Sequence, residues 1–181
     1  MKFTQLSIPG VWLIEPMRFG DARGYFMESF KLSEFQANVG NVVFLQDNES
    51  VSTRGVLRGL HFQKGEFSQA KLVRVSQGAV LDVAVDLRKD SPTFGRHVAV
   101  ELSQDNGLQL FMPRGFAHGF VVLSDRAQFQ YKVDNVYAPQ SECTLRYDDP
   151  ALGIDWRLPH DELMLSPKDL RGVGMAEIEP F

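Results

Sequence analysis

Residues 71–87 read KLVRVSQGAVLDVAVDL, two runs of aliphatic and β-branched residues separated by the turn Ser76-Gln77-Gly78. Within each run, side chains would alternate between two faces at every second residue, as they do along a β-strand. A short turn that contains glycine between two such runs predicts a hairpin. The stretch therefore indicates antiparallel β-structure, and the same pattern recurs through much of the chain.

Short runs of aromatic and β-branched residues follow one another along the sequence, with turn-forming residues between them. They predict strands at Val11–Ile14, Gly24–Phe30, Val42–Val51, Val56–Phe62, Lys71–Ser76, Ala79–Leu87, His97–Leu102, Leu108–Met112, His118–Leu123 and Ala127–Tyr137. Convincing helical periodicity occurs only at Lys31–Asn38. We therefore predict an all-β protein, a jelly-roll sandwich or small barrel with short peripheral helices. From Pro139 to the end, five prolines predict irregular structure that wraps the barrel.

Size and charge exclude several classes of protein. The 181 residues correspond to one domain, so we expect residues 1–181 to form a single unit. The 19 Lys and Arg against 23 Asp and Glu give a net charge of −4, so no overall positive field exists to bind nucleic acid or an anionic membrane. The sequence contains no apolar run long enough to predict a membrane-spanning segment. The one cysteine, Cys143, has no partner for an internal disulfide, which favours a reducing compartment, the cytoplasm.

Two polar side chains fall on apolar faces of predicted strands. In residues 127–133 the alternation places Tyr131 with Phe129, and in residues 71–75 it places Lys71 with Val73. Lysine is almost never buried without a partner, so an inward Lys71 suggests a binding pocket. The alternatives are a core tyrosine whose hydroxyl bonds to the backbone, and a lysine that reaches water from the mouth of the barrel.

Arg58 and His61 fall on opposite faces of one predicted strand. Both can face a pocket only if the strand bulges, and Gly59 is the natural position for a bulge. Asp82 lies on the face of its strand opposite to Val83, and that face is either part of the pocket or simply in contact with solvent.

The histidine-containing segments resemble a known superfamily. GLQLFMPRGFAH (107–118) is similar to the second conserved motif of the cupins, which are small β-barrels, and RGVLRGLHFQ (54–63) is similar to the first. In metal-binding cupins a second histidine ligand stands where this chain has Gln63, and the expected glutamate is not at its usual spacing, although Glu66 is near. A metal site of that type needs three or four converging ligands. The sequence therefore favours a cupin without metal.

A closer resemblance extends over nearly the whole chain. Five segments resemble the dTDP-4-dehydrorhamnose 3,5-epimerase family. They are RGVLRGLHFQ (54–63), residues 69–95, PRGFAHGF (113–120), QYKVDNVYAPQSE (130–142) and DDPALGIDW (148–156). This resemblance implies a homodimeric jelly roll with no metal or organic cofactor. It also implies a nucleotide-linked 4-keto-6-deoxyhexose as substrate.

Inversion of a carbon next to a ketone requires a base, a group that stabilises the enolate, and an acid on the opposite face. His61 is our candidate for the base, because an imidazole has a pKa close to neutral pH. Lys71 would stabilise the enolate oxygen, and Tyr131 would donate the proton from the other face. The resemblance adds Asp169 as the group that orients His61, whereas the sequence by itself favours a helix cap or a surface acid at this position.

The resemblance also implies a set of binding residues. His118 would assist near the sugar with Asp82 as its partner, Phe26 would stack on thymine, and arginine and lysine would hold the two phosphates. The matched positions are Arg23, Phe26, Glu28, Gln46, Asp47, Asn48, Arg58, Asp82, His118, Glu142 and Lys168. The sequence leaves open whether Arg23 and Glu28 serve the site of a partner subunit.

Three other functions remain open on the sequence. The first is a 3-epimerase or ketoisomerase of another deoxysugar pathway, which would share the base and the enolate-stabilising group. The second is a metal-dependent cupin oxygenase, which Gln63 argues against. The third is a cupin that binds sugars without catalysis, which the candidate base, enolate-stabilising group and acid argue against.

Overall fold

The computed structural model describes residues 1–181 as two antiparallel sheets and a separate two-stranded ribbon. The strands are β1 (Lys2–Gln5), β2 (Trp12–Glu15), β3 (Arg18–Asp21), β4 (Gly24–Met27), β5 (Gln46–Thr53), β6 (Leu57–Gln63), β7 (Lys71–Gln77), β8 (Ala79–Asp86), β9 (His97–Ser103), β10 (Gln109–Met112), β11 (Phe116–Val122), β12 (Arg126–Val133) and β13 (Glu142–Thr144). One sheet has the order β1-β2-β10-β7-β12-β5 and the other β13-β6-β11-β8-β9, while β3 and β4 form the ribbon. The all-β, jelly-roll prediction is therefore confirmed.

The inner faces of the two sheets enclose the main apolar core. Val73 from β7 and Phe129 from β12 meet Ala84 from β8 and Phe120 from β11, and all four side chains are buried. The rings of Phe120 and Phe129 stack with their centroids 4.1 Å apart. Because alternate residues of each strand point into this layer, the same alternation decides which polar side chains also point inward.

The C-terminal segment covers the outer face of the five-stranded sheet, as predicted. Leu81 and Val83 of β8 pack there against Leu152, Trp156 and Ile178. The segment also forms 3₁₀ turns at His160–Glu162, Asp169–Arg171 and Met175–Glu177. Both faces of the five-stranded sheet are therefore buried, and the segment that covers it carries Asp169.

Helix α1 (Leu32–Asn38) covers part of the outer face of the six-stranded sheet. Its one buried residue, Phe35, meets the rings of Phe44 and Phe111 at centroid distances of 5.4 and 5.2 Å. The predicted helix is thus confirmed to within one residue. None of the helices has the length and apolarity that a membrane crossing requires.

Several predicted strand boundaries were wrong. Strands β1, β3 and β13 were not predicted, since each has only three or four residues and shows no clear alternation. The predicted strand Val42–Val51 begins late, at Gln46, because that is where pairing with Val133 starts. The predicted strand Ala127–Tyr137 ends early, because the chain turns at Asp134, whose carboxylate accepts a hydrogen bond of 2.7 Å from the Ala70 amide.

Candidate active site

A cavity of about 330 Å³ opens beside β5, β6, β7 and β12. Polar and aromatic side chains line most of it. They belong to Gln46, Asn48, His61, Phe62, Gln63, Gln69, Lys71, Tyr131, Tyr137 and Glu142. The three residues that the sequence predicts as base, enolate-stabilising group and acid are among them, so the fold brings residues 61, 71 and 131 to one space.

A bulge in β6 turns Arg58 and His61 to the same side. His61 pairs with His118, while Arg58 pairs with Phe120. The same stretch of the ladder therefore contains one more residue in β6 than in β11. Gly59, at the bulge, has a φ of +127°, which glycine adopts without steric cost. A Cβ atom at Gly59 would lie 2.6 Å from the Cα atom of Gly119, so no larger residue fits. The predicted bulge is confirmed.

His61 and Asp169 form a hydrogen-bonded pair at one wall of the cavity. Nε2 of His61 lies 2.7 Å from Oδ1 of Asp169, and Asp169 is only 3% exposed. The carboxylate also accepts hydrogen bonds from the amides of Gly59 and Ser166 and from the Ser166 hydroxyl. Burial alone would raise the pKa of Asp169, but the hydrogen bonds from His61 and Ser166 outweigh it and lower the pKa to about 2. Asp169 is therefore an ionised, buried partner of His61 and not a surface acid.

Lys71, the first residue of β7, points inward and is 9% exposed. Its ammonium makes no hydrogen bond or ion pair within the chain. Burial lowers its pKa to about 8, and the nearby carboxylates of Asp82 and Glu142 limit that fall. A buried cation without a protein partner, at the wall of a cavity, can stabilise a negative charge that a bound molecule carries or develops.

Tyr131 of β12 lies against Phe129, with ring centroids 6.1 Å apart, and reaches the same cavity. Its hydroxyl makes no hydrogen bond within the chain, so it is not the core tyrosine with a backbone partner. Burial raises its pKa, and the positive charge of Arg58 partly opposes the effect. The phenol is thus protonated at neutral pH and free to donate a proton.

His118 and Asp82 form a second pair deeper in the barrel. Nε2 of His118 lies 2.9 Å from Oδ2 of Asp82, and both residues are buried. Asp82 is fully buried, so the interpretation of its face as solvent-exposed was wrong: the two sheets close over it. Its other oxygen, Oδ1, has no hydrogen-bond partner. Neither residue is part of the cavity lining, which places this pair behind the cavity.

Glu142 lines the cavity and is held in place by two hydrogen bonds. One carboxylate oxygen accepts a hydrogen bond from the Lys168 ammonium, and the other accepts one of 3.0 Å from the Tyr137 hydroxyl. Burial would raise the pKa of Glu142, but these two hydrogen bonds hold it below its ordinary value. Tyr137 was not among the predicted site residues. Tyr137 was the last residue of the predicted strand Ala127–Tyr137, and no sequence pattern there distinguished its side chain as part of a site.

Comparisons with known proteins show the family of this chain. Residues 5–177 match the family model described as dTDP-4-dehydrorhamnose 3,5-epimerase. The chain belongs to that family. A dTDP-4-dehydrorhamnose 3,5-epimerase of Escherichia coli K12 is 53% identical over 179 residues, which cover 98% of this chain and 96% of the relative.

Solved structures of the family have the same fold. The dTDP-4-dehydrorhamnose 3,5-epimerase of Elizabethkingia anophelis gives a TM-score of 0.94 at 48% identity and covers 98% of this chain and 97% of its own. A 3,5-epimerase of Legionella pneumophila, solved in complex with dTDP-4-keto-L-rhamnose, gives a TM-score of 0.94 at 46% identity and covers 98% and 94%. These relatives show that this chain is an epimerase, that is, an isomerase that acts on dTDP-linked sugars.

Three residues predicted from the family resemblance lie away from this cavity, on or next to the ribbon of β3 and β4. Arg23 is exposed and forms an ion pair with Asp21, and Glu28 lies 3.7 Å from the Lys31 ammonium. Phe26 is 66% exposed. The ribbon pairs with neither sheet, so nothing within one chain brings these side chains to His61.

Asp47 also lies outside the cavity. Gln46 and Asn48 are its neighbours along β5 and line the cavity, and their side chains bond to each other at 2.8 Å. Strand alternation therefore points Asp47 to the outer face, where it forms an ion pair of 2.8 Å with Lys132. Asp47 instead lines a second cavity, of about 340 Å³, with Phe30 and Lys132, so its contact with the nucleotide sugar stays a prediction.

Gln63 stands where metal-binding cupins have a histidine ligand, and here its side chain bonds to backbone groups. The amide of Gln63 donates hydrogen bonds to the carbonyl oxygens of Phe67 and Val136 and accepts one from the Ala138 amide. No group of three or more His, Cys, Asp or Glu side chains converges as a metal site requires. Activity without metal remains a prediction for experiment.

Proposed function

We propose that this protein is a dTDP-4-dehydrorhamnose 3,5-epimerase that uses His61, Lys71, Tyr131 and Asp169 as its catalytic machinery. It converts dTDP-4-dehydro-6-deoxy-D-glucose to dTDP-4-dehydro-L-rhamnose by inverting the two carbons beside the C4 ketone. One observation carries the assignment of residues: a histidine paired with a buried carboxylate shares one cavity with an unpaired lysine and a free phenol.

His61 removes the proton next to the ketone. Its Nε2 is engaged by Asp169, so the proton of the neutral ring resides on Nε2 and Nδ1 is left as the base. Asp169 stays ionised, because its pKa is about 2, and it stabilises the imidazolium that forms. A base oriented in this way contributes about 10²–10⁴ in rate.

Lys71 stabilises the enolate oxygen that develops at C4. A fixed donor at such an oxygen contributes about 3–4 kcal/mol, and the ammonium has no competing protein partner. With a pKa of about 8, Lys71 is mostly protonated at neutral pH. Its charge, and with it the enolate stabilisation, is lost as the pH rises through about 8.

Tyr131 delivers the proton from the face of the sugar opposite to His61. Its hydroxyl is free of protein partners, and its raised pKa keeps it protonated. Proton removal by one group and return by another on the opposite face invert the carbon. In this scheme Tyr131 serves C5, and water can reprotonate the enolate at C3.

The remaining site residues bind the nucleotide sugar. Arg58 and Lys168 supply positive charge for the two phosphates, which a protein of net charge −4 can provide only locally. Gln46, Asn48 and Glu142 offer hydrogen bonds at the cavity wall. His118, held by Asp82, supports the site from within the barrel.

A second copy of the chain completes the site. The β3–β4 ribbon exposes Phe19, Tyr25 and Phe26, each by more than half, which is typical of a surface that meets a partner. β5 is an edge strand of its sheet, and its residues Gln46 and Asn48 already line the cavity. We therefore propose a homodimer in which the ribbon of one protomer lies beside β5 of its partner.

In that homodimer, Arg23, Phe26 and Glu28 act in the partner's site. The cytoplasm remains our proposal for the compartment, which suits the single cysteine, Cys143.

The test is incubation with dTDP-4-keto-6-deoxy-D-glucose in D₂O, with EDTA present, followed by proton NMR. Deuterium at C3 and C5 with the L-rhamno configuration supports the proposal. Label and inversion at C3 alone would make the protein a 3-epimerase. Movement of the ketone would make it a ketoisomerase, and no exchange would leave a sugar-binding cupin. Activity that EDTA removes and a divalent metal restores would refute the mechanism without metal.

A further inference from the structure

Gln63 has no part in the chemistry described so far, although its side chain reaches the cavity and is 5% exposed. Both N–H groups of its amide donate, one to the Phe67 carbonyl at 2.7 Å and one to the Val136 carbonyl at 3.1 Å. Its oxygen accepts from the Ala138 amide at 2.7 Å. Two carbonyl acceptors and one amide donor fix the orientation of the side-chain amide, because a flipped amide would face like groups.

These contacts connect two loops. Phe67 lies between β6 and β7, and Val136 and Ala138 lie between β12 and β13. Gln69 and Asn135 join the same loops: the Gln69 amide donates to the Asn135 carbonyl at 2.8 Å, and the Asn135 amide donates to the Glu66 carbonyl at 2.7 Å. Gln63 is the only one of the three that bonds on both sides of residue 137.

Tyr137 is the residue that this arrangement places. Its side chain is 55% exposed and makes a single hydrogen bond, to Glu142. A ring with so few contacts takes its position from its own backbone, which Gln63 holds at Val136, together with the Gln69 amide, and at Ala138 by itself. The ring then lines the cavity beside Glu142, whose other oxygen is bonded to Lys168.

We infer that Gln63 is a positioning residue for substrate binding: by fixing the backbone around Tyr137, it holds the Tyr137–Glu142 wall of the cavity in the form that receives the nucleotide sugar. It acts through Tyr137 and does not touch the carbons that are inverted. The position at which metal-binding cupins carry a ligand thus serves here to fix a loop. The kinetic readout of this inference rests on the proposed function.

The primary variant is Gln63→Met, which keeps the length of the side chain and removes all three hydrogen bonds. Each such bond contributes a modest amount, so the held form of the loop becomes less populated and apparent affinity falls in proportion. We expect KM for dTDP-4-keto-6-deoxy-D-glucose to rise about tenfold while kcat stays within about twofold, the pattern of lost binding and not of lost chemistry.

Gln63→Glu is the second variant, for the case in which Gln63→Met does not fold. Its carboxylate still accepts from Ala138 but cannot donate to Phe67 or Val136. It should raise KM in the same way. The matched control is Ser124→Ala, which removes two hydrogen bonds to backbone groups, at Ala79 and Arg126, in a turn outside the cavity lining. The control should lower Tm and leave KM unchanged.

Two readouts separate positioning from a general loss of stability. Amide hydrogen exchange at residues 136–138 should become about tenfold faster or more in Gln63→Met, while exchange in β8 stays slow. In a Tyr137→Ala background, Gln63→Met should change KM by less than about twofold, because the residue through which it acts is gone.

The inference is overturned if the two substitutions raise KM independently, if kcat falls while KM is unchanged, or if exchange at residues 136–138 does not respond. A wild-type protein without epimerase activity would refute the proposed function instead. In that case the hydrogen-exchange result alone decides whether Gln63 fixes the loop.

Discussion

Asp169→Asn tests the site at its most constrained point. Oδ1 of Asp169 accepts hydrogen bonds from Nε2 of His61 and from the Gly59 amide, and Oδ2 accepts from the amide and hydroxyl of Ser166. An asparagine has only one oxygen. If its NH₂ group replaces Oδ1, then Nε2 of His61 must accept, the ring proton moves to Nδ1, and the base is lost. If its NH₂ group replaces Oδ2, it faces the Ser166 amide, and one backbone hydrogen bond is lost.

The magnitude follows from the pKa of Asp169. A fall from 3.8 to about 2 corresponds to about 2 kcal/mol of stability at neutral pH. Because the pKa is lower in the folded state, this contribution is complete above pH ~4 and disappears as the pH falls through about 2. Asp169→Asn should therefore lose about 2 kcal/mol at pH 7 and become less sensitive to acid. Either orientation removes the negative charge that stabilises the imidazolium, and one of them also imposes the wrong tautomer, so kcat should fall by about 10²–10⁴.

The assay is deuterium incorporation at C3 and C5 under saturating substrate, with stability measured by denaturation between pH 2 and 7. Asp86→Asn is the matched control. Asp86 is also fully buried, and hydrogen bonds from Arg88, Ser91 and Thr93 outweigh burial to give it a pKa of about 2, but it does not line the cavity. It should lose similar stability and keep its rate per folded molecule. An Asp169→Asn variant that exchanges deuterium at nearly the wild-type rate would refute the role of Asp169.

Three further substitutions test the other catalytic residues. His61→Ala should abolish deuterium exchange at both carbons, since one base serves both; if exchange persists at the wild-type rate, the base lies elsewhere, and His118 is the next candidate. Lys71→Met should keep the fold and lower kcat by about 10² or more, and the wild-type rate should fall above pH ~8 as Lys71 loses its proton; a change in KM alone would make Lys71 a ground-state binding residue. Tyr131→Phe should still exchange deuterium but largely fail to invert C5, which NMR of the product shows; normal L-configured product at the full rate would show that Tyr131 has only a packing role.

Strand alternation was sufficient to predict part of the site. It placed Tyr131 and Lys71 inward because β12 and β7 are regular along those stretches. The bulge at Gly59 could also be predicted, since Arg58 and His61 could not otherwise share a face.

Asp169 was beyond prediction from the local pattern. It stands 108 residues from His61, in a 3₁₀ turn of a segment without periodicity, and only the family resemblance indicated it. Tyr137 was missed for a similar reason, because its position depends on side-chain hydrogen bonds between loops and not on any strand. The same alternation that revealed Tyr131 places Asp47, which follows Gln46 on β5, on the face opposite to the cavity of His61.

The carboxylate that orients His61 comes from outside the barrel. Residues 146–181 contribute no strand to either sheet; they join the barrel through bridges at Met164 and Val173 and through the apolar side chains that bury the outer face of the five-stranded sheet. Detachment of this segment would expose that apolar face and break the hydrogen bond between His61 and Asp169, so the packing that completes the core also orients the base. Catalytic competence then depends on side chains remote from the cavity, because whatever loosens the apolar contacts of the C-terminal segment also loosens the carboxylate of Asp169.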